Sequence, residues 1–206
     1  MISLLSLGIL TSLGLFWLPV LWLKGIAILI WGLTILSLIF FRDPHRIPPA
    51  DPLAIISPAD GKVVAIQPIE QDYFPNNRAV CITIFLSLFN VHVQRVPADA
   101  RVAATTYQHG KFEAAFKKNI EEKNEQAVTH FLGNRGKFIL KQIAGILARR
   151  IVCYMAVGQS VERGDRLGYI RFGSRVDLIL PEDVQLGIKI GQRVRGSTTI
   201  IGYFAT

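Results

Sequence analysis

The sequence predicts a mainly β domain with a minor helix, an α+β chain whose body is a sandwich or barrel and whose N-terminus is a hydrophobic helical anchor. Three observations carry this. Half of the 206 residues are hydrophobic, and the first forty-odd positions hold a large share of them. From Leu53 onward, short β-rich runs are broken by Gly, Pro and Asp. Toward the C-terminus the chain repeats itself.

The anchor comes first, over residues 1–41. No charge interrupts Ile2 to Leu23, and after the break at Lys24-Gly25 a second apolar run extends from Ile26 to Phe41. As a helix the first run spans roughly 33 Å, enough for a bilayer core of about 30 Å. The second run is shorter, so the pair reads either as two spanning helices or as a hairpin dipping into one leaflet. No basic residues precede the first run and no small-residue cleavage site ends it, which argues against a signal peptide. Trp17, Trp22 and Trp31 suit interfacial anchoring.

Residues 42–52 form a linker, because the prolines at 44, 48, 49 and 52 cannot continue a helix. Arg42 and Arg46 place the following domain on the cytoplasmic face of the cell membrane by the positive-inside rule. In the body, residues 53–206, strands are expected at Lys62–Ile66, Ala79–Phe85 and Phe138–Ile143. Lys111 to Glu125 is charged, with Phe112, Ala115 and Phe116 on one face, and reads as an amphipathic surface helix. The repeat is Val157-Gly158-Gln159-Ser160-Val161 ending at Gly168-Tyr169-Ile170, then Ile190-Gly191-Gln192-Arg193-Val194 ending at Gly202-Tyr203-Phe204. Each copy reads as a strand pair with glycine turns. With Ser57-Pro58-Ala59-Asp60-Gly61, the pattern resembles the hairpins of lipoyl and biotinyl carrier domains, although no attachment lysine motif is present.

Composition narrows the function. A formal net charge of +8 and a pI near 9.8 set a basic body beside an anionic leaflet, which each nearby Lys or Arg favours by about 1 kcal/mol. No nucleic-acid recognition motif accompanies the charge, so no nucleic-acid partner is expected. Cys81 and Cys153 sit in apolar runs without metal-ligand spacing; both read as reduced core residues, and no metal site is expected.

Between the repeat copies lies Arg171-Phe172-Gly173-Ser174-Arg175, followed by an apolar strand and Pro181. This segment resembles the self-processing site of short-form, pyruvoyl-dependent phosphatidylserine decarboxylases. Four further segments match that family in order: Phe41-Arg42-Asp43-Pro44, Ser57-Pro58-Ala59-Asp60-Gly61, Asn90-Val91-His92-Val93, and Gln142-Ile143-Ala144-Gly145 with Ala148-Arg149-Arg150-Ile151-Val152. A lone Gly-Ser is usually a turn. Five ordered segments spread over nearly the whole chain are far more specific.

The resemblance implies a zymogen that cuts itself between Gly173 and Ser174 into residues 1–173 and 174–206, which remain together as a heterodimer. Chemistry explains the residue types. Serine's hydroxyl must reach the preceding carbonyl carbon, and glycine leaves that carbonyl open and the backbone free to strain. Ser174 would become an N-terminal pyruvoyl group, the covalent pyruvate cofactor. That group would form a Schiff base with phosphatidylserine, a membrane phospholipid substrate, and release phosphatidylethanolamine after decarboxylation. Its role is the electron sink that pyridoxal phosphate supplies elsewhere.

A serine needs a base. His92 is the leading candidate, with Asp60 to orient it in a Ser-His-Asp arrangement. Ignoring the resemblance, Asp60 reads equally as a turn residue before Gly61, and His92 as a strand residue with a structural role. Long-form relatives carry a second histidine where this chain has Arg95, so His92 could serve self-cleavage, decarboxylation or both. His109 is a reserve proton donor; His45 and His130 read as surface residues. Arg149 and Arg150 could hold the lipid phosphate or the serine carboxylate, or be ordinary surface arginines.

Gly196-Ser197-Thr198 also looks like a cleavage motif. The repeat assigns it to a turn, and a cut there would leave only the last ten residues to carry the cofactor. Two rivals remain at this level: a membrane-tethered, carrier-like adaptor, which would stay one intact chain, and a pyruvoyl decarboxylase of soluble amino acids, for which an anchor has no evident use.

Overall fold

The computed structural model describes residues 6, 8–9, 21–110, 124–145, 150–170 and 174–205. It divides into two units, Met1–Arg42 and Asp43–Thr206. Most of the first apolar run, including Trp17, and residues 111–123 of the segment expected as an amphipathic helix lie outside the described residues, while Asn124 and Glu125, expected at its end, are buried and not helical.

In the first unit, α1 (Leu21–Phe40) is a 20-residue helix whose stretch from Trp22 to Phe40 has a mean hydropathy of 2.2. It is long and apolar enough to cross a bilayer. The helix runs through Lys24-Gly25, the point at which the two apolar runs of the sequence meet. A single helical glycine costs only about 1 kcal/mol relative to alanine, and the apolar residues after it sustain the helix. At its end, the Arg42 guanidinium donates to the Ile39 carbonyl at 2.6 Å, satisfying one of the last unpaired acceptors.

The second unit is built almost entirely of strands. Along the chain these are β1 (Ala54–Ile56), β2 (Gly61–Glu70), β3 (Arg78–Leu86), β4 (Val93–Arg95), β5 (Ala100–Gln108), β6 (Gln126–Gly133) and β7 (Lys137–Ala144). They continue as β8 (Ile151–Cys153), β9 (Ser160–Val161), β10 (Arg166–Ile170), β11 (Ser174–Pro181), β12 (Gln185–Leu186), β13 (Arg193–Val194) and β14 (Ile200–Tyr203). The three strands expected from sequence are present and longer. One eight-stranded sheet runs β13-β2-β3-β11-β7-β6-β5-β9, and two three-stranded sheets run β1-β14-β12 and β4-β10-β8.

Strand β11 sits in the middle of the large sheet, antiparallel to β3 on one side and β7 on the other. Because side chains alternate, Val176, Leu178 and Leu180 join Ile82, Ile84, Leu86 and Leu140 in the main core. On the other face, Ile179 packs with Phe74, Ala79, Cys81 and Ile139. Both faces of β11 are thus covered, which explains its continuous apolar run. The exception is a buried ion pair on the second face: Arg175 donates to the two Asp177 oxygens at 2.7 and 2.8 Å and to Thr83 Oγ1 at 3.3 Å.

The repeat is real, and it is twice as large as its glycine motifs suggest. Gly158 and Gly191 both take positive φ (87° and 90°) and donate to Val102 and Val63 respectively. Gln159 and Gln192 each accept a backbone N–H across their own turn, from Ala156 and Lys189. Each copy docks on its own long strand, β9 on β5 and β13 on β2. The two strands of a copy do not pair with each other: β10 and β14 go to the two small sheets. Upstream, Pro58-Ala59-Asp60 before β2 is matched by Pro97-Ala98-Asp99 before β5. Ile56 N–H donates to the Pro97 carbonyl (3.0 Å) and Arg95 N–H to the Pro58 carbonyl (2.8 Å), a reciprocal pair of the kind a twofold axis creates. The body is therefore two similar modules, β1-β2-β13-β14 and β4-β5-β9-β10, with β3, β6, β7 and β11 completing the large sheet.

Candidate active site

Ser174 opens β11. It lies across from Leu86 at the end of β3 and Ala144 at the end of β7, and its side chain points to the main-core face with theirs. The residue is fully buried, and its Oγ has no hydrogen-bond partner among the described residues. A buried hydroxyl without a partner costs about 1–3 kcal/mol, and folded proteins keep such deficits where function needs them. Gly173, the other half of the expected cleavage bond, lies outside the described residues.

His92 is buried and precedes β4. Its Nδ1 is 2.9 Å from the Asn90 carbonyl. A carbonyl only accepts, so Nδ1 carries a proton, and the neutral form of a ring held this way has its lone pair at Nε2, the tautomer a general base needs. The register of β4 with β10 pairs Tyr169 with Val93 and, carried one step on, sets His92 beside Ile170. The chain leaves β10 at Ile170 and re-enters the large sheet at Ser174. His92 thus stands at one end of the connection that holds the expected cut, and Ser174 at the other.

Two buried glutamines hold this arrangement. Gln94 Nε2 donates to the His92 carbonyl at 2.7 Å, and Gln142 Nε2 donates to Gln94 Oε1 at 2.9 Å. Gln142 lies on β7, paired with Val176 of β11. A polar chain therefore links the neighbour of the serine strand to the backbone of the histidine. Sequence reasoning missed both glutamines. The signal was there in Gln142, a polar residue between Leu140 and Ala144 on the core-facing side of an otherwise apolar strand.

No hydrogen bond among the described residues joins Asp60 to His92. The Asp60 carboxylate takes both terminal nitrogens of Arg46 (2.5 and 2.9 Å) and the Gly196 N–H (2.8 Å). The ion pair raises the Arg46 pKa above its ordinary value, the hydrogen bond to Asp60 being the main cause. Asp99, in the equivalent loop, likewise accepts a backbone N–H, from Arg163 at 2.7 Å. Asp60 thus bonds within its own loop region and to Arg46, and the Asn90 carbonyl is one group that orients His92. Arg95 is engaged too: it and Arg166 both bind Asp43.

His109 follows the end of β5, three strands from β11, on the order of 14 Å at ordinary strand spacing. Its ring meets that of Tyr107 edge to face at 5.0 Å. Tyr107 donates to Glu125, and burial, then Glu125, pushes its pKa up to about 12. Arg150 is exposed, and Arg149 lies outside the described residues. His45 is exposed as expected. His130 is half-buried against Tyr73, and burial and then Lys141 lower its pKa. Ser197 is buried in a turn at φ 67° and donates to the Ser57 carbonyl as Gly164 does to Val96, which fixes Gly196-Ser197 as a loop corner of the first module. A cleft of about 470 Å³ lies at the opposite end of β11, beside Arg78, Lys137 and Pro181, remote from Ser174.

Residues 33–202 match the family profile described as phosphatidylserine decarboxylase. The class is thereby an enzyme, a decarboxylase. The chain is 45% identical over 170 residues to the phosphatidylserine decarboxylase proenzyme of Desulfotalea psychrophila, covering 82% of this chain and 79% of that one. With the proenzyme of Chlorobium limicola it shares 41% identity over 172 residues, covering 84% and 81%. With that of Cupriavidus pinatubonensis it shares 39% over 200 residues, covering 96% and 88%. The chain belongs to the phosphatidylserine decarboxylase family.

Proposed function

We propose that this chain converts phosphatidylserine to phosphatidylethanolamine after making a pyruvoyl group from Ser174. The observation that carries the reading is the buried Ser174 hydroxyl, without a partner among the described residues, at the head of the central strand. Leu86 and Ala144 flank it, so neither paired neighbour competes for the hydroxyl, and in the pyruvoyl group Cβ becomes a methyl that needs no partner in this apolar setting, the ketone forming at Cα.

In the self-processing step, His92 Nε2 takes the Ser174 hydroxyl proton, and Oγ attacks the Gly173 carbonyl carbon. The Gly173–Ser174 C–N bond breaks, the nitrogen gains a proton, and an ester joins the two residues. Loss of the Ser174 α-proton then breaks the Cβ–Oγ bond, and Gly173 leaves as a carboxylate. The dehydroalanine left behind takes up water and releases ammonia, leaving the ketone. Residues 1–173 and 174–206 stay together because β11 is hydrogen-bonded on both sides, to β3 and β7.

Once formed, the pyruvoyl group supplies a carbonyl for the substrate amine and a sink for the electrons released with carbon dioxide. The chain's own residues do the rest. His92, fixed by Asn90 and Gln94, holds the proton that the product carbon must receive. Arg150 offers an exposed cation to the lipid phosphate or the substrate carboxylate. Helix α1 keeps the enzyme at the bilayer, and Arg42 and Arg46 favour a cytoplasmic domain.

Intact mass under denaturing conditions tests the reading. Wild-type protein should give two fragments, the smaller starting at residue 174 with a blocked N-terminus, whereas Ser174→Ala should give one inactive chain. Active protein that remains continuous through residues 173 and 174 would overturn it.

A further inference from the structure

Strand β3 ends at Leu86, opposite Ser174, and the turn Ser87-Leu88-Phe89-Asn90 follows directly. Turns favour Gly, Pro, Asn, Asp and Ser at their tips. Here the tip is Leu88 and Phe89, 38% and 71% exposed. The turn is firmly built: Asn90 Oδ1 accepts from both the Ser87 N–H (2.8 Å) and hydroxyl (2.7 Å), and Asn90 N–H donates to the Ser87 carbonyl at 3.0 Å. The same Asn90 holds His92 through its carbonyl. An apolar tip is thus rigidly joined to the site.

A second observation lies at the same end of the sheet. Lys62, in register with Phe85, is also paired directly with Arg193 across β2 and β13, and both are exposed. Like charges in facing positions repel, and neither makes an ion pair among the described residues. Two cations that face each other, at the same end of the sheet as two exposed apolar side chains, supply the mixed character that suits an anionic lipid interface.

We propose that this end of the domain docks on an anionic bilayer, with Leu88 and Phe89 entering the boundary between headgroups and acyl chains and Lys62 and Arg193 engaging the headgroups. The proposal rests on the lipid-substrate reading and deepens it: the docked tip brings the rim of the site to the membrane that holds the substrate.

The test uses the full chain in vesicles of phosphatidylcholine with phosphatidylglycerol, with Cys81 and Cys153 replaced by alanine and a nitroxide on Phe89→Cys. Val157→Cys is the control. It occupies an exposed turn docked at the start of β5, the end of the sheet away from Ser174. The label at 89 should be more accessible to oxygen than to a water-soluble nickel complex, and the label at 157 the reverse; Leu88→Cys gives a second reading of the tip. Lys62→Glu with Arg193→Glu should move the label at 89 toward water and raise KM for vesicle-borne phosphatidylserine about tenfold. Labels at 88 and 89 that are as water-accessible as the one at 157 would overturn the proposal. Depth is read without turnover, so this failure is distinct from failure of the decarboxylase reading, which intact mass decides.

Discussion

The two modules of the domain are alike in backbone and unlike at one strand. In the first module β1 reads Leu53-Ala54-Ile55-Ile56 with its preceding residue, and Ile55 is a fully buried member of the main core. The second module has His92-Val93-Gln94-Arg95 at the same positions, just as far ahead of its own Pro-Ala-Asp loop. Leucine is replaced by the histidine, one isoleucine by the glutamine that holds it, and the other by an arginine paired with Asp43. The first module shows what these positions contain when only packing matters. The second departs from that pattern at the residues proposed to carry the chemistry.

Moving one residue from the first module into the second gives the largest expected effect. His92→Leu supplies the apolar residue that the first module carries at this position, Leu53, and removes the proposed base. The chain should fold and remain uncut, with self-processing slowed by about 10²–10⁴, as followed by a denaturing-gel time course. Processing at the wild-type rate would mean that Ser174 is activated by another group.

A smaller effect is expected from the glutamines. Gln142→Leu alone strands Gln94 Oε1 in the core and should cost about 1–3 kcal/mol. Adding Gln94→Ile, the first module's residue, removes both members of the pair and should restore most of that stability, since replacing both partners with apolar groups is nearly neutral. Processing should stay about tenfold slow in the double variant, because the His92 carbonyl has lost its clamp. Thermal midpoints and processing rates measured on the same samples separate the two quantities. Recovery of rate together with stability would show the pair to be packing alone.

These contrasts also show how far the sequence could be read. Alternating apolar residues exposed the strands, and an uninterrupted apolar run exposed the helix; each is a local periodicity that burial enforces directly. Gly173-Ser174 and His92 were singled out through motifs. The partner of Asp60 was not, because an aspartate before a glycine suits a triad and a turn equally well. Only the fold brings Arg46 and the Gly196 N–H to it. The glutamine chain was equally hidden: Gln94 and Gln142 meet through three-dimensional packing of β4 on β7, and neither sits in a spacing that announces a contact. The Pro-Ala-Asp repeat was visible in the letters, but its meaning lay in the reciprocal hydrogen bonds between the two loops.

The loop aspartates supply the smallest and sharpest contrast. Asp60 and Asp99 each accept one backbone N–H, from Gly196 and Arg163, but among the described residues only Asp60 carries an ion pair, with Arg46, and that pair is mostly shielded from solvent. Asp99 is exposed. Asparagine at either position can still accept the backbone proton, so Asp99→Asn should change stability by less than about 0.5 kcal/mol. Asp60→Asn should cost about 2 kcal/mol, between the values for exposed and fully buried pairs. Arg46→Ala removes the same interaction from the other side and should match it closely. Melting curves in the uncut Ser174→Ala background provide the comparison without interference from cleavage. Processing rates in the Ser174 chain then decide what the carboxylate does: if Asp60 acts only through this pair, the two variants slow self-cleavage equally. If Asp60→Asn stops cleavage while Arg46→Ala spares it, the carboxylate serves His92 directly in the reacting chain, and the equivalence of the two loops ends at that residue.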